Sequence, residues 1–238
     1  MESVGEGSGE VLLLDDFVGG LYDHVYISLA HLINMQLTAE YLAEQEQVIR
    51  SCMEWGISRV NQERYKAVTS FVKGNGSILS VGSAGLDPVI CGATHALDVS
   101  VEAERILRKN GWTGAFFLGD CRELPWPDKA FPTGYCTEVV EHLPEWADVV
   151  RSFEEMDRVC RSWLVTTPVE LAHEPFHKRA VSEEQVGDLC RKHGAEARKF
   201  LLWWFIWKGK RGPEFTEVKE EDLVDERIPG CVRRFILR

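Results

Sequence analysis

The sequence has no paired cysteines. Its seven cysteines stand singly along the chain, with no CxxC pair and none of the spacings that zinc sites use. An odd number of scattered cysteines is typical of a reduced intracellular protein rather than of a disulfide-bonded secreted one. We therefore expect a cytoplasmic protein, and a chain of 238 residues is long enough to hold its core without disulfides or a structural zinc ion.

Long hydrophobic runs and an excess of basic residues are also absent. The longest apolar stretches include residues 11–14 and 200–207, far below the roughly 18 residues that cross a bilayer. No basic segment precedes an apolar one near the N-terminus, as it would in a secretory signal. Lys and Arg number 27 against 38 Asp and Glu, a net charge of −11. We expect no membrane partner, and this charge favours a small-molecule substrate over nucleic acid.

What remains is an ordinary globular composition in three parts. The chain has 238 residues, 45% of them hydrophobic and 27% charged. Residues 1–15 begin with Gly, Ser and Glu almost throughout, which predicts a flexible tail. Residues 16–74 contain no proline and carry apolar residues at helical spacing, which predicts an N-terminal helical cap of two or three helices. The turn-forming run Lys73-Gly-Asn-Gly-Ser77 breaks this pattern, and residues 75–238 form the third part, a separate domain.

Short apolar runs alternate with helix-compatible segments in this third part. We predict strands at 78–81, 96–99, 115–118, 134–137 and 163–167, and two late strands at 198–207 and 232–237. Such runs suit strands that are buried on both faces, and their alternation with helices indicates right-handed crossovers. The predicted fold class is therefore α/β, with a doubly wound, mainly parallel sheet closed by an antiparallel pair.

Small and polar residues follow four of these strands, at the edge where ligands bind in such sheets. Gly82 lies in a small-residue turn after the first strand, and Asp98 ends the second. Asp120 follows the third strand, and acidic residues and a histidine cluster at 138–142 after the fourth. Each feature also has a purely structural interpretation, as a tight turn, a helix cap, an Asx turn or a charged surface turn.

The segments ILSVGSAG, ALDVS, GDCRELPW, YCTEVVEHLP and WLVTTP together resemble the class I S-adenosylmethionine-dependent methyltransferases, over roughly residues 76–238. The resemblance implies a seven-stranded Rossmann-like sheet whose last strand is reversed, which agrees with the late antiparallel pair. It implies S-adenosylmethionine as the cofactor. The N-terminal helical extension would then either pack against the domain or cover the cofactor.

The resemblance also implies that the turn after the first strand lies beneath the methionine part of the cofactor, through Gly82, Ser83 and Ala84. This turn differs from the family pattern. Ser80 stands where such proteins usually carry an acid, and Ala84 and Leu86 replace two glycines. These differences keep open a rival hypothesis, a catalytically degenerate methyltransferase-like protein that serves as a binding or regulatory partner.

The nucleoside half of the cofactor would lie at the next two strand tips. The resemblance implies that Asp98, with Val99 beside it, holds the ribose hydroxyls. Asp120 would accept a hydrogen bond from the adenine amine, and the backbone of Cys121 would contact the ring. Thr137, at the end of the fourth strand, would face the methionine.

Methyl transfer needs alignment and, for a poor nucleophile, a general base. The catalytic candidates are His142 after the fourth strand, His173 or His177 after the fifth, and Glu138, which the resemblance places near the reacting methyl group. Each histidine alone also fits a structural role. Our leading hypothesis assigns no metal.

A narrower resemblance leads to a different set of roles. The pattern Glu138-x-x-Glu141-His142 with the later His177 is similar to the metal-dependent small-RNA 3′-end 2′-O-methyltransferases. In those enzymes two Glu and two His bind a divalent ion beside the terminal ribose. The alternative to a metal-free site is thus a metal site formed by these four side chains.

The aromatic run at 200–207 and the basic residues after it have two interpretations. They fit a surface that stacks nucleic-acid bases, or a strand buried on both faces, which we prefer. A nicotinamide-dependent oxidoreductase would carry GxGxxG after the first strand, and this sequence has no such motif there. The family resemblance leads us to predict a methyltransferase that acts on an O or N nucleophile, with a small molecule as the acceptor.

Overall fold

The structure, a computed structural model, describes residues 11–13, 25–28, 59–83, 85–170 and 176–218. Its strands are β1 (Val11–Leu13), β2 (Val25–Ser28), β3 (Ile78–Val81), β4 (His95–Asp98), β5 (Ala115–Leu118), β6 (Phe131–Thr137), β7 (Cys160–Pro168), β8 (Glu196–Phe200) and β9 (Trp203–Lys208). The helices in these residues are α1 (Arg59–Val72), α2 (Asp87–Ile90), α3 (Val101–Lys109), α4 (Trp146–Val159) and α5 (Glu183–His193), and a 3-10 turn spans Val140–His142.

The strands form one sheet in the order β1-β2-β5-β4-β3-β6-β7-β9-β8. Strands β3 to β7 are mutually parallel, whereas β9 is antiparallel to both of its neighbours, β7 and β8. The part from β3 to β9 is the expected seven-stranded, mainly parallel sheet with a reversed last strand. From β3 the chain continues to β4 and β5 on one side and then crosses to β6 and β7 on the other side. Doubly wound sheets bind ligands at such a switch point, which here lies between β3 and β6.

One detail of these strands differs from the expectation drawn from the sequence. The continuous run at 198–207 is a hairpin rather than one strand, because Leu201 takes a positive φ of 54° and reverses the chain between β8 and β9. The turn contains no Gly, Asn or Pro, the residues that usually mark turns, so the sequence pattern does not predict it. The predicted strand at 232–237 lies outside the described residues.

The N-terminal part also contributes strands. β1 falls within residues predicted as a tail, and β2 falls within residues predicted as helical. Strand β2 pairs in parallel with the edge strand β5 and antiparallel with β1. The open edge of β5 offers backbone hydrogen bonds that a helix could not satisfy, and the β-branched residues of the Val-Tyr-Ile-Ser segment suit a strand.

The aromatic strand β9 is buried on both faces of the sheet, as we preferred from the sequence. Trp204 and Ile206 pack in the cluster that contains α4 and α5, whereas Trp203, Phe205 and Trp207 pack in the cluster that contains α1. Successive side chains of a strand point to opposite faces, so a strand in the middle of a two-layered core must be apolar at every position.

Helix α1 packs against the sheet through a stripe of residues spaced three or four apart. Val60, Val68 and Val72 share a core with Tyr135 and Leu164 of the sheet. On the opposite face, α5 starts with a capping box at Ser182 and Gln185 and ends at a left-handed glycine. Among the described residues, no helix is long and apolar enough to cross a membrane.

Candidate functional site

The carboxyl ends of the parallel strands meet at one edge of the sheet, and backbone hydrogen bonds tie the loops there together. The amide of Gly82, after β3, donates to the carbonyl of Leu97 in β4 at 2.8 Å. The amide of Gly119, after β5, donates to the carbonyl of Asp98 at 2.9 Å. The loops that carry the predicted cofactor residues therefore form one continuous surface.

Gly82 makes the sharp turn at the end of β3. Its φ is +72°, in the left-handed region that favours glycine. A Cβ at this position would lie 2.1 Å from Cγ2 of Val139. The side chain of Ser83 is fully buried, and its Oγ lies 3.3 Å from the carbonyl oxygens of both Ser80 and Leu97. The predicted contact Ala84 lies outside the described residues.

Asp98 places a buried carboxylate at the tip of β4. Its Oδ1 accepts a hydrogen bond from the amide of Ser100 at 3.0 Å, and only 6% of the residue is exposed. Burial raises the pKa of this carboxyl to about 6, against the opposing effect of hydrogen bonds from the amides of Ser100, Ser83 and Val99. Ser100 in turn caps α3, so the helix start fixes the loop that bears the acid.

Asp120 follows β5 and is paired within its own loop. Its two oxygens accept hydrogen bonds from the guanidinium of Arg122, with the shortest at 2.6 Å, and from the Arg122 amide at 2.8 Å. Arg122 also reaches Asp148 at 3.1 Å. Cys121 is buried beside it, and burial together with the Asp120 charge raises the pKa of that thiol well above its usual range. An adenine amine at Asp120 would therefore share the carboxylate with Arg122.

Thr137 and Glu138 end β6. The hydroxyl of Thr137 donates to Oδ1 of Asp87 at 3.0 Å. Glu138 has a positive φ of 56°, which is uncommon outside glycine. Its Oε1 accepts from the hydroxyl of Thr166 at 2.9 Å, and its Oε2 accepts from the indole of Trp203 at 2.5 Å. Burial raises the pKa of Glu138, and the nearby guanidinium of Arg64, followed by these two hydrogen bonds, opposes that rise.

Glu141, His142 and His177 form a second group, with ligand atoms that all lie within 4.8 Å of one another. The Nδ1 of His142 lies 3.2 Å from the carbonyl of Phe176. Because a carbonyl only accepts, Nδ1 carries the proton in that bond, and Nε2 keeps its lone pair. Burial lowers the pKa of His142 to about 4, with a further contribution from His177, and burial alone lowers that of His177 to about 4.

His177 is brought to His142 by the segment that follows it. The amide of Lys178 donates to the carbonyl of Glu141 at 2.8 Å, and the guanidinium of Arg179 donates to the carbonyls of Leu143 and Pro144. The rings of His142 and His177 meet edge to face, with centroids 4.9 Å apart. Residues 35 positions apart in the chain thus form one side of the site, whereas His173 lies outside the described residues.

Three of the four side chains of the alternative metal site lie together in the structure. Glu141, His142 and His177 are clustered, but the carboxylate of Glu138 is bound to Thr166 and Trp203 instead. Within the described part of the chain, Oε1 of Glu141 and Nδ1 of His177 are buried without a hydrogen-bond partner. Such orphaned atoms in a carboxylate and imidazole group fit a divalent transition metal or zinc.

Sequence reasoning did not single out Arg64 and Trp203. Arg64 is only 4% exposed, and it lies 3.6 Å from Asp87 and 3.8 Å from Glu138. Its spacing of four residues from both Val60 and Val68 places it on the apolar stripe of α1, and an arginine at such a position was the available signal. Trp203 offered none, since every residue of its strand is apolar up to Lys208.

Comparison with known proteins adds an independent observation. A family model described as a methyltransferase domain matches residues 74–163. No curated protein matches the sequence. Several solved structures share the fold at low identity, and three of them are compared below.

The structure of a SAM-dependent methyltransferase from Thermotoga maritima is 19% identical and has a TM-score of 0.56, covering 72% of this chain and 100% of its own. One from Aquifex aeolicus is 17% identical with a TM-score of 0.53, covering 68% and 96%. The Burkholderia thailandensis 1,6-didemethyltoxoflavin-N1-methyltransferase, solved with its substrate and S-adenosylhomocysteine, is 15% identical with a TM-score of 0.52, covering 72% and 89%.

These likenesses establish the fold, and the family match falls on the segment that contains the loops after β3, β4, β5 and β6. The strand order from β3 to β9, with its reversed last strand, accounts for the structural likeness. Residues 74–163 thus match a methyltransferase domain, and the chain shares the fold of solved S-adenosylmethionine-dependent methyltransferases.

Proposed function

We propose that this protein transfers a methyl group from S-adenosylmethionine to an O or N nucleophile of a small molecule. The observation that carries the proposal is the buried carboxylate of Asp98 at the tip of β4, beside the left-handed turn at Gly82. A ribose diol offers two hydroxyl donors to such an acid. The methionine part of the cofactor would lie against the backbone of this glycine turn.

The nucleoside would extend from Asp98 toward the next loop. Parallel pairing places Asp98 of β4 opposite Leu118 of β5, so the loop with Asp120 and Cys121 begins beside it. Val99 lies between the acid and the helix cap at Ser100. An adenine amine would donate to Asp120, which Arg122 already holds in position.

The acceptor side would be formed by the loops after β6 and β7. When bound, S-adenosylmethionine supplies a sulfonium methyl carbon, which the acceptor attacks in line as the carbon–sulfur bond breaks and the sulfonium becomes a thioether. His142 has a pKa of about 4 and is therefore unprotonated at neutral pH. Its Nε2 would accept the acceptor's proton, and His177 packs against its ring.

Glu138 and Thr137 would face the reacting group from the end of β6. Glu138 is fixed by Thr166 and Trp203, so its carboxylate is held without rotation. A positioned negative charge stabilises the cationic methyl donor when it binds. We assign Glu138 to orientation and electrostatics and His142 with His177 to proton transfer.

Calorimetric titration tests the cofactor part of this proposal. Wild-type protein should bind S-adenosylmethionine and S-adenosylhomocysteine with micromolar affinity, and Asp98→Ala should lose that binding. The matched control is Glu104→Ala, which removes another buried carboxylate, one that is paired with Arg108 within α3. Absence of wild-type binding at millimolar ligand would reject methyl transfer and favour the degenerate binding or regulatory protein.

A second candidate is a metal-dependent RNA 3′-end 2′-O-methyltransferase, favoured by the cluster of Glu141, His142 and His177. These three side chains would hold a divalent ion, which would bring the acceptor hydroxyls together and lower their pKa. The net charge of −11 argues against an RNA substrate.

Manganese titration distinguishes the two candidates. The metal-dependent enzyme requires micromolar Mn²⁺ binding that His177→Ala abolishes, together with EDTA-sensitive methylation of an RNA 3′ end. The control His193→Gln changes a buried histidine that contacts Asp157, outside the cluster. Methylation of small acceptors at full rate in EDTA would support the metal-free site.

A further inference from the structure

The loop after β3 lacks an acid at Ser80, yet a carboxylate does reach this loop from its other end. Asp87 is the first residue of α2 and is only 6% exposed. Its Oδ2 occupies the space beside Gly85, where a Cβ would approach it to 2.8 Å. Gly85 therefore lies against an acid that follows it in the chain, rather than against one that precedes the loop.

Two other elements hold this carboxylate in place. From β6, the hydroxyl of Thr137 donates to Oδ1 at 3.0 Å. From α1, Nη2 of Arg64 lies 3.6 Å from the same oxygen. A buried carboxylate is stable only with partners of this kind, and here they come from two elements that are distant in the chain.

Arg64 extends this arrangement to the acceptor side of the site. Its Nη1 lies 3.8 Å from Oε1 of Glu138, so one guanidinium lies between the two carboxylates. The rings of Tyr65 and Trp203 flank it, with centroids 5.1 Å and 5.3 Å from Cζ. Arginine suits such a position because its planar group stacks on rings and pairs with two acids at once.

We propose that Asp87 is a positioning residue for the cofactor site, and that Asp87, Arg64 and Thr137 form a clamp that fixes Gly85 and Leu86, in the loop after β3, against the end of β6. This Asp87 clamp supplies the loop-holding carboxylate that Ser80 cannot provide. Its effect on the cofactor rests on the proposed function, because the loop lies beneath the methionine part only if S-adenosylmethionine binds there. Its effect on the loop itself does not depend on any ligand.

Hydrogen–deuterium exchange of the ligand-free full-length protein tests the clamp directly. In the peptide that covers residues 81–90, Asp87→Ala should speed amide exchange at least tenfold. Thr137→Val and Asp87→Asn, which each remove one interaction and keep the side-chain volume, should give smaller increases. Glu104→Gln is the matched control, because Glu104 is a buried acid paired with Arg108 away from this loop, and it should leave the peptide unchanged. Unchanged exchange in folded Asp87→Ala and Thr137→Val would overturn the clamp.

Calorimetry then separates positioning from general destabilisation. Asp87→Asn and Arg64→Lys should weaken S-adenosylhomocysteine about tenfold and leave adenosine unchanged, because adenosine lacks the amino-acid part that lies over the clamped loop. Equal losses for both ligands would overturn the positioning role. If wild-type protein binds neither ligand, the proposed function fails, and the exchange experiment still decides whether the clamp exists.

Discussion

Gly82 and Val139 touch across the ends of two neighbouring strands, β3 and β6. The contact is so close that a Cβ on Gly82 would lie 2.1 Å from Cγ2 of Val139. The turn beneath the predicted methionine site is therefore limited both by its backbone conformation and by a side chain from the next loop.

Substitution of Gly82 by alanine should be severe. Gly92 provides a matched control, because it has a similar φ of +70° and no heavy atom within 4 Å of the added Cβ. Gly92→Ala should cost only the conformational strain, about 1 kcal/mol, whereas Gly82→Ala should cost about 2 kcal/mol more through overpacking. Urea unfolding measures both, and Val139→Ala should recover part of the Gly82→Ala loss. Equal costs for the two glycine variants would contradict the contact.

Cofactor affinity should depend on pH through Asp98. Burial raises the pKa of this carboxyl to about 6 in the free protein, and hydroxyl donors from a ribose favour its ionised form. Binding below pH 6 therefore requires loss of a proton, and affinity should fall by up to about tenfold per pH unit there. Calorimetry with S-adenosylhomocysteine from pH 5 to 8 should show this slope, and Asp98→Asn should bind weakly with a flat profile.

The same carboxylate should reduce the stability of the free protein. Its folded pKa is about 6 against an ordinary value of 3.8, so the protonated form is favoured in the native state. The stabilisation of the folded state by protonated Asp98 is fully present below pH 3.8 and is lost as the pH rises through 6. The free energy of unfolding at pH 7 is therefore about 3 kcal/mol lower than it is below pH 3.8. Asp98→Asn should therefore unfold at a higher urea concentration than wild type at pH 7, with the difference vanishing near pH 4.

Asp120 should set the preference for an adenine over a hypoxanthine ring. An adenine amine donates to a carboxylate, whereas the hypoxanthine carbonyl repels it. Wild-type protein should bind S-adenosylhomocysteine at least about tenfold more tightly than S-inosylhomocysteine, a difference of about 1.4 kcal/mol. Asp120→Asn should lower the ratio of the affinity for S-adenosylhomocysteine to that for S-inosylhomocysteine. Asp148→Asn changes the other acid bound to Arg122 and should keep the wild-type ratio.

The hydrogen bond from Trp203 to Glu138 can be tested against an internal control. Trp203→Phe removes the indole donor to a buried carboxylate and should destabilise the protein by about 2 kcal/mol. Trp207 lies on the same strand and the same face, and its Nε1 has no hydrogen-bond partner among the described residues. Trp207→Phe should therefore cost less, and thermal unfolding of the two variants measures the difference. Equal destabilisation would show that packing rather than this bond dominates.

The sequence sufficed for features that depend on local pattern. The first strand at 78–81 and the third at 115–118 match the structure, and Asp98 stands at a strand tip as expected. Contacts between segments that are distant in the chain could not be predicted from the sequence pattern. The pairing of Trp203 with Glu138 joins residues 65 positions apart, and no spacing rule connects them.

Competing tertiary interactions explain the remaining differences. The Val25–Ser28 segment has apolar residues that fit a helix, but the edge of β5 was available to pair with it. Leu201 adopts a left-handed conformation that its residue type does not favour, because the hairpin returns β9 to the sheet. In both places the global fold overrides local preference.

The position of β9 has a consequence for how the chain is synthesised. β9 is the last strand of the described chain, yet it lies between β7 and β8 and pairs with both. Until residues 203–208 leave the ribosome, β7 keeps an unpaired apolar edge, and unpaired edges of this kind promote aggregation. The nascent protein therefore carries an unpaired apolar edge until this late step, and its yield in cells should depend on how soon β9 pairs as well as on the stability of the finished fold.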